Sequence, residues 1–281
     1  MDKPHDVIVI GAGPTGIAIG AEARRAGLNV LLIDRGHLTQ ALLDFPTYMT
    51  FFTTRDKLEI AGIPFCVPDE KPTRQQALVY YRSIVDSYKI PLALHEEVLL
   101  ARRTGEVFRI ESRREGKRIE RQARAAAFAT GYYDHPFKLN VPGAHLPWVH
   151  SYYDDPYHHY GEHVVLVGGG NSACEAALDL WRNGARSVTL IVRDSRLKEG
   201  VKYWVRPDVE NRIAEGAIQA HFNAVALGFH DNPREVEVRL AAGHVTRLPA
   251  DTAFVLIGFI QTPNCCGAAE SRSMKPRLSR P

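Results

Sequence analysis

Two short glycine-rich segments of this sequence have the residue types and spacing that hold a dinucleotide. The first, G-A-G-P-T-G over residues 11–16, lies between a short apolar run and an alanine-rich stretch. In such a turn from strand to helix, the first glycine permits the tight turn and the second lets the backbone approach a pyrophosphate. The third glycine lets the helix pack against the strand, and the helix N-terminus attracts the phosphate charge. The predicted contacts are Gly11, Gly13, Pro14, Thr15 and Gly16.

An acidic residue follows this motif at the expected distance. Asp34 closes the next predicted strand, where a carboxylate can accept hydrogen bonds from the hydroxyls of a ribose. Arg35, directly after it, is included in the predicted cofactor site. A lone glycine motif is weak, but the added carboxylate makes dinucleotide binding the favoured interpretation.

The second segment, G-G-G-N-S-A over residues 168–173, has alanine at the third small position. Gly168 and Gly170 are its predicted cofactor contacts. Arg193 ends the following strand, where the first motif has Asp34. A carboxylate there would repel a ribose 2′-phosphate, whereas a guanidinium can pair with it in bidentate fashion. The sequence therefore favours NADPH over NADH, with Lys198 as a further nearby cation; a solvated surface arginine is the alternative.

The elements around the two motifs repeat. Residues 6–10, 14–26 and 29–33 are predicted as strand, helix and strand, and residues 163–167, 171–183 and 187–192 repeat that order. After each unit we predict a three-strand meander, at 98–101, 106–111 and 117–123 and at 223–228, 234–240 and 244–248. Each meander is followed by an apolar strand, 125–129 and 253–257. A helix over 73–88 is predicted from a Thr73–Gln76 capping box and an apolar face, and residues 39–69 form a long connection.

This duplication predicts an α/β fold with two Rossmann-like dinucleotide-binding domains, each carrying a β-meander. We expect the first domain over residues 1–140, the second over 141–257 and a tail over 258–281. The polar and basic tail has no strand or helix period. We expect it to be incomplete or disordered.

Composition excludes several classes of protein. The net charge of +3 is too small, and the basic residues too evenly spread, for a nucleic-acid partner. No apolar run approaches the ~20 residues of a membrane helix, and no signal peptide is indicated, so we expect a cytoplasmic enzyme without a membrane partner. No cysteine or histidine spacing predicts a metal site; His158, His159 and His163 are interpreted as solvated loop residues, and Cys66 and Cys174 as buried small apolar residues.

Several further stretches resemble the thioredoxin-reductase-like pyridine nucleotide-disulfide oxidoreductases, most closely the bacillithiol-disulfide-reductase-like group, also called the YpdA group. The stretches, within about residues 5–259, are 50–54, 56–60, 63–65, 76–82, 129–133, 201–204 and 207–211. The resemblance implies FAD in the first domain, NADPH in the second, hydride flow through flavin to an oxidised acceptor, and a homodimer. It also implies a place near the flavin for Thr130 and Gly131, and a place near the NADPH diphosphate for Asn171, Ser172 and Glu175.

The sequence departs from that family at its C-terminal end, where the segment that in the family returns to the FAD domain is missing; we interpret this as truncation or an altered reading frame rather than as a natural short variant. It also departs from that family in its thiols. The redox C-x-x-C of low-molecular-weight thioredoxin reductases corresponds here to residues 151–154, S-Y-Y-D, and the cysteine that some relatives carry in the first glycine motif is Thr15. A hydroxyl cannot form a mixed disulfide. Cys265 and Cys266 in the tail are the weaker alternative of a mobile redox shuttle. No catalytic residue is therefore assigned.

Three functions stay open. The first is an NADPH-dependent reductase of a low-molecular-weight disulfide or a related small redox partner. The second is a flavin monooxygenase, suggested by His150-Ser151 followed by Tyr153. The third is a non-catalytic nucleotide-binding or redox-sensing protein, suggested by the missing cysteines and the tail.

Overall fold

A computed structural model describes residues 3–260. Residues 261–281 are not described, so the prediction for the tail, including Cys265 and Cys266, lies outside the described residues. The first half contains β1 (His5–Ile10), α1 (Pro14–Arg25), β2 (Val30–Ile33), α2 (Gln40–Leu43), α3 (Arg55–Leu58), α4 (Arg74–Tyr88), β3 (Leu92–Ala93), β4 (Glu97–Thr104), β5 (Val107–Arg114) and β6 (Lys117–Phe128). The second half contains β7 (Val149–His150), a short 3-10 helix (Pro156–His159), β8 (His163–Val167), α5 (Asn171–Arg182), β9 (Ser187–Val192), α6 (Arg206–Ala214), β10 (Gln219–Phe222), β11 (Val225–Asp231), β12 (Arg234–Arg239), β13 (Val245–Pro249) and β14 (Thr252–Val255).

The first unit is built on one six-stranded sheet in the order β3-β2-β1-β6-β5-β4. The sequence predicted two separate strands over 117–123 and 125–129, and this was wrong, because β6 is a single strand. Ala123 pairs at once with His5 of β1 and with Phe108 of β5. The strand therefore passes from the antiparallel meander into the parallel part of the sheet without a break.

The second unit keeps these parts separate. Its parallel sheet has the order β10-β9-β8-β14-β7, and β11-β12-β13 form a sheet of their own. The strand β13 ends at Pro249 and β14 begins at Thr252, so the predicted break is confirmed here. Both units have the Rossmann-like arrangement that the duplication predicted, although several elements were missed: β3, β7, β10, α6, the short helices α2 and α3, and the 3-10 helix.

Local signals account for the helices that cover these sheets. Thr73 caps α4 and its hydroxyl accepts from the backbone N–H of Gln76, whose side chain in turn accepts from the Thr73 N–H, so the predicted capping box is confirmed. The apolar face of α4 packs with α1 and one face of the first sheet, and it contains Ala77, Tyr80, Tyr81, Ile84 and Val85. In the second unit α5 covers the parallel sheet with an almost entirely buried face. Within residues 3–260, none of the helices is long and apolar enough to cross a membrane.

Candidate functional site

The first glycine motif lies at the carboxyl end of β1, where two of its glycines are required by the fold. Gly11 has φ of +111°, and a side chain there would overlap the carbonyl oxygen of Ala129, which continues from β6. A side chain on Gly16 would overlap the carbonyl oxygen of Gly11 itself. The turn and the start of α1 are therefore packed as tightly as the motif predicts.

Gly13 differs from both of these glycines, because nothing lies within 4 Å of the position that its Cβ would take. Its backbone is extended, with φ of −80°, and no side chain caps the N-terminus of α1 that follows. Pro14 occupies the first turn and Thr15 is exposed. The result is an open cradle at a helix N-terminus, with room for a diphosphate where a side chain would otherwise stand.

Asp34 is held in place by the backbone of this motif. Its Oδ2 accepts from the Ala12 N–H at 2.7 Å and its Oδ1 from the Gly36 N–H at 2.8 Å. Each carboxylate oxygen keeps acceptor capacity beyond one hydrogen bond, so both can still receive a ribose hydroxyl. Arg35 points elsewhere and forms an ion pair with Asp134 at 2.5 Å.

Thr130 and Gly131 follow the end of β6 and are both exposed. Gly131 has φ of +69°, a conformation that glycine adopts without strain. The chain then enters an aromatic cluster in which the Tyr133 ring lies 4.2 Å from that of Phe259, between centroids. The end of β6 in the first unit therefore lies close to Phe259, which follows β14 of the second unit, at the place where the chain passes between the two units.

The second glycine motif has the same place at the end of β8. Gly168 has φ of +146°, and its Cβ would lie 2.5 Å from the carbonyl oxygen of Leu256. Gly170 precedes α5 in extended backbone, and its Cβ would meet only Lys198 Cδ, at 3.6 Å. Ala173, in the third small position, is fully buried, so the close packing expected of alanine there is confirmed.

A cleft of about 310 Å³ opens over this motif. Gly168, Arg193 and Lys198 line it together with apolar residues such as Leu256 and Phe137. The Arg193 side chain is 81% exposed, and its nearest carboxylate, that of Asp194, is 3.7 Å away. The guanidinium is therefore free to turn towards an anion in the cleft. The structure thus brings Gly168, Arg193 and Lys198 together.

Two side chains in the first turns of α5, Asn171 and Glu175, bind the loop that contains Gly200 and Lys202, which the sequence did not predict. The Asn171 side chain donates to the carbonyl of Gly200 at 2.9 Å and accepts from the Lys202 N–H at 2.8 Å, while Ser172 is exposed. The Glu175 carboxylate forms an ion pair with Lys202 Nζ at 2.8 Å. Burial raises the pKa of Glu175, and the Lys202 ammonium opposes that shift. Lys202 was not predicted as a site residue, although it lies in one of the stretches, 201–204, that carry the family resemblance.

A small cavity of about 30 Å³ lies between the units, next to the stretch that replaces the C-x-x-C. Ser151, Tyr153, Ser172 and Phe259 are among its lining residues. The Tyr153 hydroxyl donates to Asp179 at 2.7 Å, and burial raises the pKa of that tyrosine. The pKa of His150 is lowered by partial desolvation and by nearby His159. None of the residues that line this cavity is a cysteine.

Three predictions about isolated side chains were wrong, among them that for His163, which is half-buried in β8 with its Nδ1 2.7 Å from Ser187 Oγ. Cys66 is exposed rather than buried, whereas Cys174 is buried as expected, and burial raises the pKa of its thiol to about 12. His159 is buried rather than solvated, because its ring packs on Phe254 and its Nδ1 lies 2.9 Å from Glu162. Within residues 3–260 no group of histidine, cysteine and acidic residues could hold a metal ion.

Comparison with known proteins agrees with this geometry. A family model described as pyridine nucleotide-disulphide oxidoreductase matches residues 8–273. The chain is 33% identical over 253 residues to the bacilliredoxin reductase Bdr of Bacillus subtilis, covering 90% of this chain and 76% of that protein. It superposes on the bacillithiol disulfide reductase Bdr (YpdA) of Staphylococcus aureus with a TM-score of 0.86 at 32% identity, over 92% of this chain and 77% of that one. A flavin monooxygenase of Stenotrophomonas maltophilia shares the fold, with a TM-score of 0.71 at 23% identity over 93% and 80% of the two chains.

Proposed function

This chain belongs to the pyridine nucleotide-disulphide oxidoreductase family, and from that premise we propose that it reduces a low-molecular-weight disulfide with electrons from NADPH. At the coarser level, the chain is an NADPH-dependent flavoprotein oxidoreductase of the thioredoxin-reductase-like class, with FAD and NADPH as cofactors. When bound, FAD supplies the redox chemistry, taking up a hydride from NADPH and passing two electrons to the acceptor.

We assign FAD to the first glycine motif. The open position at Gly13 receives the diphosphate at the N-terminus of α1, where backbone N–H groups and the helix dipole stabilise its charge. Asp34, already oriented by two backbone N–H groups, accepts the ribose hydroxyls. Thr130 and Gly131, exposed after the end of β6, would lie near the flavin, as the family resemblance implies.

We assign NADPH to the cleft over the second motif. Gly170 gives its diphosphate the same open approach, and Lys198 lies next to it. Arg193 pairs with the 2′-phosphate, because its guanidinium is exposed at the edge of the cleft and is only weakly engaged by Asp194. This exposed arginine, in the position that a carboxylate occupies in the first unit, is the observation that carries the choice of NADPH.

The acceptor is proposed from two observations. One relative is named bacillithiol disulfide reductase, which points to a small disulfide of that kind, while the other is named for bacilliredoxin. The cavity beside residues 151–154 is lined without a cysteine, so we propose that electrons pass to the acceptor directly rather than through a protein dithiol at that place. The homodimer and the cytoplasmic location stay predictions.

The test is to purify the full chain with its flavin and add NADPH without oxygen. We expect the flavin absorbance near 450 nm to bleach, and bacillithiol disulfide, added next, to restore it within the turnover time. Glutathione disulfide serves as the comparison acceptor. Bleaching by NADPH followed by no reoxidation with either disulfide would refute the proposed acceptor but keep the reductase half of the proposal.

The monooxygenase alternative predicts a different outcome. It rests on His150 and Ser151, of which Ser151 lines the cavity and His150 has a pKa lowered mainly by burial. However, the Tyr153 hydroxyl is already engaged by Asp179. In air, this function requires NADPH consumption that leads to one oxygenated product for each oxygen molecule. If NADPH does not bleach the flavin at all, the nucleotide-binding or redox-sensing alternative is favoured.

A further inference from the structure

Lys202 is a buried lysine that connects the two units. Its side chain is 6% exposed, and its Nζ donates to the carbonyl oxygen of Thr50 and to the carboxylate of Glu175, both at 2.8 Å. Thr50 belongs to the connection that follows β2 in the first unit, whereas Glu175 lies on α5 in the second. A buried ammonium needs such partners to offset the loss of water, so its placement between the units is specific. We call these three residues the clasp.

Contacts on either side of the clasp also cross between the units. The Phe52 ring of the first unit stacks on the Trp204 ring of the second, with centroids 5.7 Å apart. Lys71, which donates to the Phe52 carbonyl at 2.9 Å, has its Nζ 4.0 Å from the Trp204 ring centroid. The Thr47 N–H donates to the carbonyl of Asp154 at 2.9 Å. The clasp is therefore the buried part of a continuous contact.

The loop that carries Lys202 also rests on the second glycine motif. The Lys198 N–H donates to the Gly169 carbonyl at 2.9 Å. Asn171, in the first turn of α5, holds the Gly200 carbonyl and the Lys202 N–H through its side-chain amide. A change in the position of the loop therefore acts on both the motif and the contact between the units.

We propose that Lys202 is a positioning residue that couples occupation of the nucleotide cleft to the contact between the two units. Lys198 lines the cleft of about 310 Å³ and belongs to the same loop as Lys202, so a nucleotide that holds this loop also holds the clasp. Binding of the nucleotide then holds the loop and strengthens the clasp, and by reciprocity the clasp raises nucleotide affinity. This inference rests on the proposed assignment of NADPH to the second motif.

Lys202→Met alone leaves the Glu175 carboxylate buried without its partner, so the deciding variant is Lys202→Met combined with Glu175→Gln. Lys57→Met is the matched control, because Lys57 is an exposed lysine of the same connection that carries Thr50. Hydrogen exchange of the full chain is followed in peptides that cover Thr47 and Thr50, with strand β8 as the internal reference. A merely local role for Lys202 would leave the Thr47 amide unchanged, since that amide donates to Asp154 and not to either member of the Lys202–Glu175 pair.

Without nucleotide, we expect exchange at Thr47 to rise about tenfold in the double variant, with β8 unchanged, and to stay at the native rate in the control. With saturating NADP⁺, we expect protection at Thr47 to increase in the native chain but not in the double variant. The NADP⁺ affinity of the double variant should fall about fivefold or more below that of Glu175→Gln alone, which includes any direct effect of Glu175 on the diphosphate. If the Thr47 amide of the double variant exchanges at the native rate, the clasp does not stabilise the contact between the units. If NADP⁺ protects Thr47 equally in both chains, the clasp is not coupled to nucleotide binding. If NADP⁺ fails to perturb residues 168–171 of the native chain, the cofactor assignment fails, while the nucleotide-free arm still decides the clasp.

Discussion

The two glycine turns place corresponding positions against different neighbours. In the first unit, a side chain on Gly16 would overlap the carbonyl oxygen of Gly11. In the second unit, the corresponding residue is Ala173, which is fully buried and whose Cβ lies 3.3 Å from the position that a Cβ would take on Gly168. The first helix therefore stands closer to its turn than the second. The third small residue is required by this spacing and not by the nucleotide.

The second glycine of each G-x-G turn, Gly13 or Gly170, has room for a side chain, unlike the first glycine. A Cβ on Gly13 would meet no atom within 4 Å, and one on Gly170 would meet only Lys198 Cδ at an ordinary contact distance of 3.6 Å. The same motif thus combines glycines that the fold requires with one glycine that the fold does not require, and our proposal is that the bound dinucleotide requires it. The comparison therefore distinguishes glycines that are needed for folding, such as Gly16, from Gly13 and Gly170, which we propose are needed for binding.

The strand ends differ as well. Asp34 is bound by two backbone N–H groups, whereas the Arg193 side chain is 81% exposed and has only a distant contact with Asp194. In the proposed assignment, the first unit therefore presents an oriented acceptor for a ribose, and the second presents an exposed cation that the ligand must order. We expect the second interaction to include an entropy cost that the first avoids.

The largest expected effect comes from Gly13→Val. Its side chain enters open space and its backbone conformation is accessible to valine, so the fold should persist while the diphosphate is excluded. We expect purified protein without FAD, measured as the ratio of absorbance at 450 nm to that at 280 nm, with NADP⁺ binding retained. Gly170→Val should give the reverse pattern, with FAD retained and NADP⁺ binding lost. A Gly13→Val protein with full flavin content would refute the assignment of FAD to the first turn.

The next effect compares the third positions. Gly16→Ala should lower the free energy of unfolding by about 3 kcal/mol, because the added Cβ forces α1 away from the turn. Ala173→Gly should cost only about 1 kcal/mol, mainly through lower helix propensity and a lost methyl contact. Urea unfolding monitored by circular dichroism measures both. Equal losses in the two variants would mean that the two helices are equally close to their turns, contrary to the structure.

A smaller effect is expected at the strand end. Arg193→Asp should remove a charge-assisted pair with the 2′-phosphate and weaken NADPH binding by about 1.5 to 3 kcal/mol, roughly tenfold or more. NADH binding should change much less. Arg186→Asp is the matched control, since Arg186 is exposed before β9 and Arg193 follows its other end. The measurement is a titration of each variant with NADPH and with NADH. Equal losses of NADPH and NADH affinity in Arg193→Asp would show that Arg193 does not bind the 2′-phosphate.

The sequence by itself determined the features that depend on neighbouring residues. The two glycine turns with their flanking strands and helices, the Thr73–Gln76 capping box and the core face of α4 were all predicted, because turn chemistry and side-chain period act over a few residues. The resemblance to the disulfide oxidoreductases also came from short stretches of sequence. For the same reason, short elements without a strong pattern, such as β3 and β7, were missed.

Only the tertiary structure decided which distant residues meet. The fusion of two predicted strands into β6 depends on simultaneous pairing with β1 and β5, and the burial of His159 depends on Phe254. Lys202 has the chemistry of any surface lysine until folding brings Thr50, 152 positions away in the chain, to its ammonium group. Local sequence patterns do not predict such contacts, because burial and long-range hydrogen bonding are properties of the packed chain. The same packing made Gly13 open and Gly16 crowded, although the two glycines belong to one motif.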